Sequence, residues 1–447
     1  KRVYFVGIGG IGMSAIARYF AKRGVLVCGY DKTRTKLTEQ LESEGILVSY
    51  NDEEATIPDA FKNNNDETLI VYTPAIPKNS VILNHFLNGG FSLKKRSEVL
   101  GIISEGMYCV AVAGTHGKTT TSSMIAHILT DTGFGCTAFL GGITSNYNSN
   151  VLFGKNNVVV VEADEYDRSF LTLHPDIAVI TSMDADHLDI YGNAASVEES
   201  FRLFADKVDA DHLFIPLKVQ LKGNTVGIEE QANYEVKNIR IIDGFYHFDV
   251  QTPSEWIEDV KFGLPGRHNL SNAVIALAMA NKYGVSNEKI KAALATFPGV
   301  RRRFSFQLRN EKCIYIDDYA HHPTEIAAVY QAVRELYPGK KVLAVFQPHL
   351  FSRTRDFIDG FAESLSKFDE IVLLDIYPAR ELPIEGITSE VLLEKISNTH
   401  KKLVSKEILF SVFQQSDAEV FITIGAGDIG EMVKDLKKVL DEKAQMA

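Results

Sequence analysis

Residues 110–124 read VAVAGTHGKTTTSSM: an apolar strand-like run, a loop carrying two glycines, then a helix-like run. A strand that breaks at glycine into a helix is the unit of a parallel α/β sheet, because each parallel strand needs a crossover before the next. The unit recurs along the chain. "RVYFVGIG", "VLVCGYD" and "TLIVYTPAI" alternate with helical stretches such as "SAIARYFAKRG". "NVVVVEADEYD" and "DIAVITSMDADHLDIY" follow in the middle, each an apolar strand ending in acids. "CIYIDDYAHHPTE", "KVLAVFQPHLFSRTRD", "EIVLLDIYPARE" and "VFITIGAGDIGEM" complete the series. One stretch differs: 208–265, with "NIRIIDGFYHFDV", is β-rich and reads as an antiparallel addition. At 447 residues the chain exceeds one ordinary core, and no tandem repeat of solenoid period is present.

The bulk numbers exclude more than they assign. A composition 45% hydrophobic and 23% charged is that of an ordinary globular protein. A formal charge of -11 argues against nucleic acid or an anionic membrane as partner. Cys28, Cys109, Cys136 and Cys313 lie in or beside strand-like runs without zinc or CxxC spacing, so buried free thiols are expected. No apolar run approaches the ~20 residues of a membrane span, so no membrane insertion is expected. The residues given show no signal peptide, which makes the cytoplasm the default.

Gly7, Gly9 and Gly12 in "VGIGGIG" form G-x-G-x-x-G between a strand and a helix, and Asp31 ends the next strand. Glycines let a backbone approach a diphosphate, the helix start supplies N–H donors, and the acid can bond ribose hydroxyls. NAD or FAD, another nucleotide diphosphate, and a purely structural tight turn all satisfy this pattern.

The 110–124 stretch ends in GK[ST], though Val112 stands where the full phosphate-loop pattern has its first glycine. Lys118 can span β- and γ-phosphates, the Thr119 hydroxyl can ligate Mg²⁺, and amides from Gly114 to Thr120 can cradle oxygens. Ligands of a parallel sheet gather at the carboxyl ends of its strands. There Glu162 is followed by Asp164, Glu165 and Asp167, and the next strand by Asp184, Asp186, His187 and Asp189. Mg²⁺ takes oxygen ligands and keeps waters, so Thr119 and Glu162 make a minimal set; His187 would suit Mn²⁺ as well. Most of the other acids read as helix caps or solvated side chains.

"GRHNLSN" puts Asn269 and Asn272 three apart at a helix start, able to read an adenine edge; for Asn269 helix capping is the stronger reading. Arg301, Arg302 and Arg303 in "TFPGVRRRF" read as a linker run, but beside an ATP site such an arginine can stabilise a phosphoryl group in transfer. Asp317, Asp318, Tyr319, His321 and His322 follow one strand of the last unit, and His349, Arg353 and Arg355 another. Histidines and arginines so placed point at an anion such as a carboxylate. "IGAGDIG" repeats the glycine spacing at Gly425, Gly427 and Gly430, where a tight turn and a ligand role are equally open.

Together these motifs give a fold class: α/β, three domains, each a mostly parallel sheet with flanking helices. They are an N-terminal Rossmann-like unit over 1–106, a central P-loop ATPase-like unit over 107–299 and a C-terminal Rossmann-like unit over 300–447. The linkers near 107 and 300 are candidate hinges for closure around ATP.

The set resembles the Mur ligase family, ATP-dependent amide-forming enzymes of peptidoglycan precursor synthesis. "GTHGKTTT", "GRHN" with its second asparagine, "GIGGIGMSAIA", "DDYAHHPTE" and "QPHLFSRTRD" carry the likeness, which spans nearly the whole chain. The resemblance implies ATP-dependent joining of L-alanine to UDP-N-acetylmuramate through an acyl phosphate, in the cytoplasm, by a monomer or homodimer. It implies that Gly7, Gly9, Gly10, Ile11 and Gly12, with Asp31 and Thr73, hold the UDP-sugar instead of NAD. It implies ATP contacts from Gly114, Thr115, His116, Gly117, Lys118, Thr119 and Thr120, and from His268, Asn269, Asn272, Arg302, Arg303 and Asp318. Metal positions match Thr119, Glu162 and His187; amino-acid positions match Tyr319, His321, His349 and Arg353. Lys118, His187, Arg303 and His321 carry the catalytic roles on this reading. One departure is Leu350, where some relatives carry arginine. Two other activities compete: a ligase adding a whole tripeptide to the same sugar nucleotide, and an NAD-dependent oxidoreductase, which would leave "GTHGKTTT" without a task.

Overall fold

The computed structural model describes residues 1–447 except Asn64, His187, Glu311, Arg380 and Ala447. The chain forms two compact bodies. The first comprises Lys1–Val236, Val250–Ile257 and Asn272–Phe297; the second comprises Lys237–Asp249, Glu258–Ser271 and Pro298–Ala447.

The first body opens with β1 (Arg2–Val6), β2 (Leu26–Tyr30), β3 (Leu47–Ser49), β4 (Thr68–Tyr72) and β5 (Ser92–Lys95). They pair in the order β3-β2-β1-β4-β5, every pair parallel. Val3, Tyr4, Phe5 and Val6 are all buried, as a central parallel strand covered on both faces requires. Because β1 lies between β2 and β4, its neighbours are reached in opposite directions and a crevice opens beyond its carboxyl end. Gly7 and Thr73 meet there: a Cβ on Gly7 (φ +89°) would stand 3.2 Å from the Thr73 methyl.

The second sheet begins with β6 (Tyr108–Ala113), β7 (Thr137–Phe139), β8 (Val151–Leu152) and β9 (Val158–Glu162). It continues with β10 (Ile177–Ile180), β11 (Leu213–Pro216), β12 (Asn224–Ile228) and β13 (Tyr234–Ile242), and β14 (Phe245–Gln251) and β15 (Trp256–Phe262) follow in the chain. β6 is flanked by β9 and β10, a second crossover reversal, this time under the GTHGKT loop. The antiparallel addition expected from 208 onward is not what forms first: β10, β11, β12 and β13 pair in parallel. Alternation of apolar and polar residues reports which face is buried, not which way the neighbouring strand runs.

One apolar core joins the first two sheets. Val3, Phe5 and Ile16 belong to the same cluster as Ala111, Val159 and Phe201, so the core runs through the hinge expected near 107. The helix Ile11–Lys22 makes the join, setting Tyr19 against Phe139 with ring centroids 5.4 Å apart. It also sends Arg18 to the fully buried Asn150, 2.8 Å from its side-chain oxygen. Asn150 returns its amide to the Ile11 carbonyl and the Ser14 hydroxyl. Asn150→Ala strands those buried partners and is expected to destabilise the first body by about 2–3 kcal/mol, read from urea unfolding.

In the second body, β16 (Ser305–Arg309), β17 (Ile314–Asp318), β18 (Val342–Phe346), β19 (Glu370–Leu373), β20 (Lys401–Leu403) and β21 (Val420–Ile424) form a sheet. Its order is β16-β17-β21-β18-β19-β20, parallel except for β16 on β17. Successive side chains face opposite ways: Ile316, Ala344 and Ile422 enter one core, Tyr315, Leu343 and Phe421 the other. All four cysteines are buried free thiols, and burial pushes Cys136 up to about 12. Among the described residues no helix is long and apolar enough to cross a membrane.

Candidate functional site

In the first body the loop after β6 is forced into shape by its two glycines. Gly114 has φ +129°, and a Cβ there would fall 2.1 Å from the Thr181 hydroxyl. Gly117 has φ +86° and caps the helix Lys118–Asp131; a Cβ there would meet the Asn272 side-chain oxygen at 3.0 Å. The loop is pinned from β10: Thr115 donates to the Asp184 carbonyl at 2.7 Å, the His116 amide to Ser182 Oγ at 2.8 Å, and Thr181 to the His116 carbonyl. His116 also lies 3.4 Å from Asp184. No side chain caps the helix start and its first turn holds no acid, which keeps amide donors and partial positive charge for an anion.

Lys118 Nζ donates to the Gly114 carbonyl at 2.6 Å and lies 2.7 Å from a carboxylate oxygen of Glu165, itself 3% exposed. Burial opposes the ammonium, but Glu165, Glu162 and Asp164 outweigh it and its pKa stands raised. Burial pushes Glu165 up to about 7 in spite of the lysine beside it. The Thr119 hydroxyl donates to Glu162 Oε1 at 3.1 Å, and Glu162 Oε2 accepts the Gly141 amide at 2.8 Å. A Cβ on Gly141 would sit 2.3 Å from that carboxylate, so position 141 has room for glycine alone. A threonine hydroxyl joined to a carboxylate is a hard-oxygen pair that fits Mg²⁺ with waters completing its shell. His187 lies outside the described residues, and among those described no group of three or more His, Cys, Asp or Glu is placed to hold a metal.

At the first crevice Gly9 N donates to Asp31 Oδ2 at 2.7 Å, while Asp31 Oδ1 accepts from Thr33 N. Asp31 therefore braces the glycine loop itself, a use beyond the ribose contact expected of it. Gly10 is the N-cap of the helix Ile11–Lys22, again without a side-chain cap.

The second body holds a separate cluster. Asp318, buried and pushed up to about 6 by desolvation, accepts the amides of Phe304 (2.6 Å) and Ala320 (2.7 Å). Arg303 lies over the Tyr319 ring, 5.1 Å from its centroid, and 3.8 Å from Glu325. His321 Nδ1 is 2.9 Å from the Tyr319 carbonyl and 3.4 Å from Glu325, a pairing that places a ring proton on Nδ1. Its backbone amide also donates to Glu325, at 2.8 Å. His349 lies 6.3 Å from His321, stacks on Tyr377 and stands 3.3 Å from the buried Arg353. Leu350 has φ +70°, a strained value for a leucine, held by its amide on the Tyr377 carbonyl at 3.0 Å.

Three further segments show how they are held within the fold. Arg302 donates to Asp317 at 3.2 Å and to the Gly425 carbonyl at 2.6 Å. The IGAGDIG segment makes a tight turn: Gln347 Oε1 takes the Ile429 amide, and a Cβ on Gly427 would strike that same oxygen at 2.4 Å. Asn269 does not cap by accepting an amide; it sits inside the helix Arg267–Lys282 and donates to the Pro265 carbonyl at 2.7 Å. His268 packs against Gly266. Sequence reading named Glu165 only among acids taken for caps or solvated side chains, and it missed Glu325, Gly141 and Tyr377. Only Glu325 carried a signal, an acid four residues beyond His321 at a helix start.

Comparison with known proteins covers the whole chain. Residues 2–108 match the Mur ligase family, catalytic domain; 112–280 match the Mur ligase middle domain; 302–427 match the Mur ligase, glutamate ligase domain. UDP-N-acetylmuramate–L-alanine ligase of Flavobacterium psychrophilum is 60% identical over 99% of this chain and 98% of its own. The same enzyme of Parabacteroides distasonis is 47% identical over 98% and 97%. Among solved structures, UDP-N-acetylmuramate-alanine ligase of Thermotoga maritima superposes with a TM-score of 0.83 at 27% identity, covering 100% and 99% of the two chains. A murein peptide ligase of Psychrobacter arcticus shares the fold, with a TM-score of 0.71 at 21% identity over 98% of each.

Proposed function

The chain belongs to the Mur ligase family, and on that premise we propose that it joins L-alanine to UDP-N-acetylmuramate at the expense of ATP. Relatives of 56–60% identity over 99% of the chain bear that activity in their names, and the tripeptide-adding and oxidoreductase alternatives are not favoured. The observation that carries the reading is the loop at 114–118: two glycines fixed by close contacts, an uncapped helix start, and Lys118 held among acids.

A carboxylate repels an amine and has no leaving group. Ligation therefore requires a carboxylate oxygen of the lactyl group to attack the γ-phosphorus of ATP, releasing ADP. The amine of L-alanine then adds to the acyl carbon and loses a proton, and phosphate departs with the oxygen it took. In the first step Lys118 and the amides of the helix start neutralise the phosphate oxygens. Thr119 and Glu162 would hold Mg²⁺, which when bound offsets further negative charge; Mn²⁺ can serve at the same oxygens. Asn272, fixed against Gly117, and Asn269 with His268 form the adenine segment. Arg303 faces the transferring phosphoryl group, and Nε2 of His321, oriented by Glu325, accepts the amine proton. His349, Arg353 and Tyr319 hold the amino acid's carboxylate. The domains are proposed to divide at 106/107 and 299/300, since no strand crosses either point. The site of action is the cytoplasm, where such precursors are built.

Phosphate release should require UDP-N-acetylmuramate, ATP, Mg²⁺ and L-alanine together; equal release without the sugar nucleotide would overturn the assignment. Oxygen-18 in the lactyl carboxylate should appear in the released phosphate. Gly141→Ala displaces the Glu162 carboxylate and is expected to raise the Mg²⁺ concentration at half-maximal rate on the order of tenfold, with the KM for L-alanine unchanged.

A further inference from the structure

Resting on that reading, we infer that Arg96 is the cation that binds the sugar nucleotide's diphosphate, held in the free protein by Asp164. Two phosphate charges must be met at the Gly7–Gly12 loop, yet "GIGGIGMSAIA" holds no basic residue. Two nearby arginines are engaged elsewhere. Arg18 is buried and bound to Glu44 and Asn150, and Arg34 pairs with Glu39 and Glu42. Arg96, the first residue of the helix Arg96–Glu105, reaches the loop from the end of β5.

The contact is built into the glycine motif. A Cβ at Gly12 would lie 2.8 Å from Nη1 and 3.4 Å from the central carbon of the Arg96 guanidinium. The third glycine thus makes room for an arginine at the helix start, where the amide donors of the first turn also lie. On its other side Arg96 donates to Asp164 Oδ2 at 2.8 Å, and the guanidinium side chain remains 21% exposed. Arg96, Ser97 and Leu100 line a small cavity together with Glu162 and Asp164. Arg96 therefore stands between the sugar-nucleotide loop and the strand end that carries the cation site, where the reacting ends of the two substrates have to meet. A diphosphate offers the planar fork a pair of oxygens in place of one carboxylate. On binding, Arg96 exchanges Asp164 for the diphosphate.

The exchange makes the two members of the ion pair behave oppositely. In the full chain, Arg96→Ala is expected to weaken binding of both UDP and UDP-N-acetylmuramate, measured by calorimetry, on the order of 10- to 100-fold. ATP affinity and the urea midpoint should change little. Asp164→Asn releases the arginine and should leave sugar-nucleotide binding as tight as in the parent protein or tighter. Arg96→Lys, with charge but no fork, should fall between. If Arg96→Ala and Asp164→Asn weaken binding alike, the pair is only a brace and the inference fails. A loss confined to UDP-N-acetylmuramate, with UDP unaffected, would move Arg96 to the lactyl carboxylate and equally overturn it. Failure of the parent protein to bind either nucleotide would instead remove the ligase reading on which the inference stands.

Discussion

Lys118→Met is expected to lose ligation on the order of 10³-fold and, separately, to destabilise the first body by about 3 kcal/mol. The two losses have different origins. Turnover falls because the charge that meets the phosphate oxygens is gone. Stability falls because Glu165, 3% exposed and 2.7 Å from the ammonium, is left buried without its counter-ion. A buried pair replaced by apolar side chains of similar size is often neutral in stability. The double variant Lys118→Met with Glu165→Met should therefore recover the urea midpoint of the parent while remaining inactive. Phosphate release assayed beside urea unfolding separates the effects. A single variant that turns over within tenfold of the parent would remove Lys118 from the chemistry. A double variant no more stable than the single would deny that Glu165 is the burdened partner.

The pattern of that result explains what could be read in advance. Gly114, Gly117 and Lys118 were legible because backbone geometry and charge demand those residue types at fixed spacing. Glu165 was not, since an acid three residues past a strand end is the same letter whether it solvates a turn or pairs with a buried lysine. The glycine motifs show the same limit from the other side. Gly7 and Gly425 hold the same place in the spacing, yet Gly7 opens a crevice and Gly425 closes onto Gln347. Gly12 fits its motif for a reason the motif does not state, the nearness of Arg96. The sheets followed from the alternation of apolar strands and helices, but strand direction in 208–242 did not, because burial patterns are blind to it. Arg96, Gly141 and Tyr377 owe their places to long-range packing, which no local spacing announces.

The adjacent arginines put that distinction to a direct test. Arg303→Ala is expected to keep the parent's stability and to lose turnover on the order of 10³-fold, as removal of an arginine that stabilises a transferring phosphoryl group does elsewhere. Its neighbours are the Tyr319 ring and Glu325, the latter at 3.8 Å, and although its charge favours the buried Asp318 carboxylate, Asp318 keeps the Phe304 and Ala320 amides without it. Arg302→Ala should do the reverse. It strips the guanidinium from Asp317, whose side chain is 2% exposed and already pushed up by burial, and it abandons the Gly425 carbonyl. A loss of about 3 kcal/mol is expected, with turnover per folded molecule falling by about tenfold or less. Asp317 keeps the Thr423 hydroxyl at 2.9 Å, which limits the damage. Arg303→Lys, retaining charge without the fork, should recover part of the rate. The decisive comparison is turnover against unfolding free energy for the two alanine variants. If both lose rate equally at unchanged stability, Arg302 reaches substrate after all and its bonds to Asp317 and Gly425 are exchanged during the reaction. If both lose stability equally, Arg303 belongs to the fold, and the phosphoryl group must find its cation elsewhere.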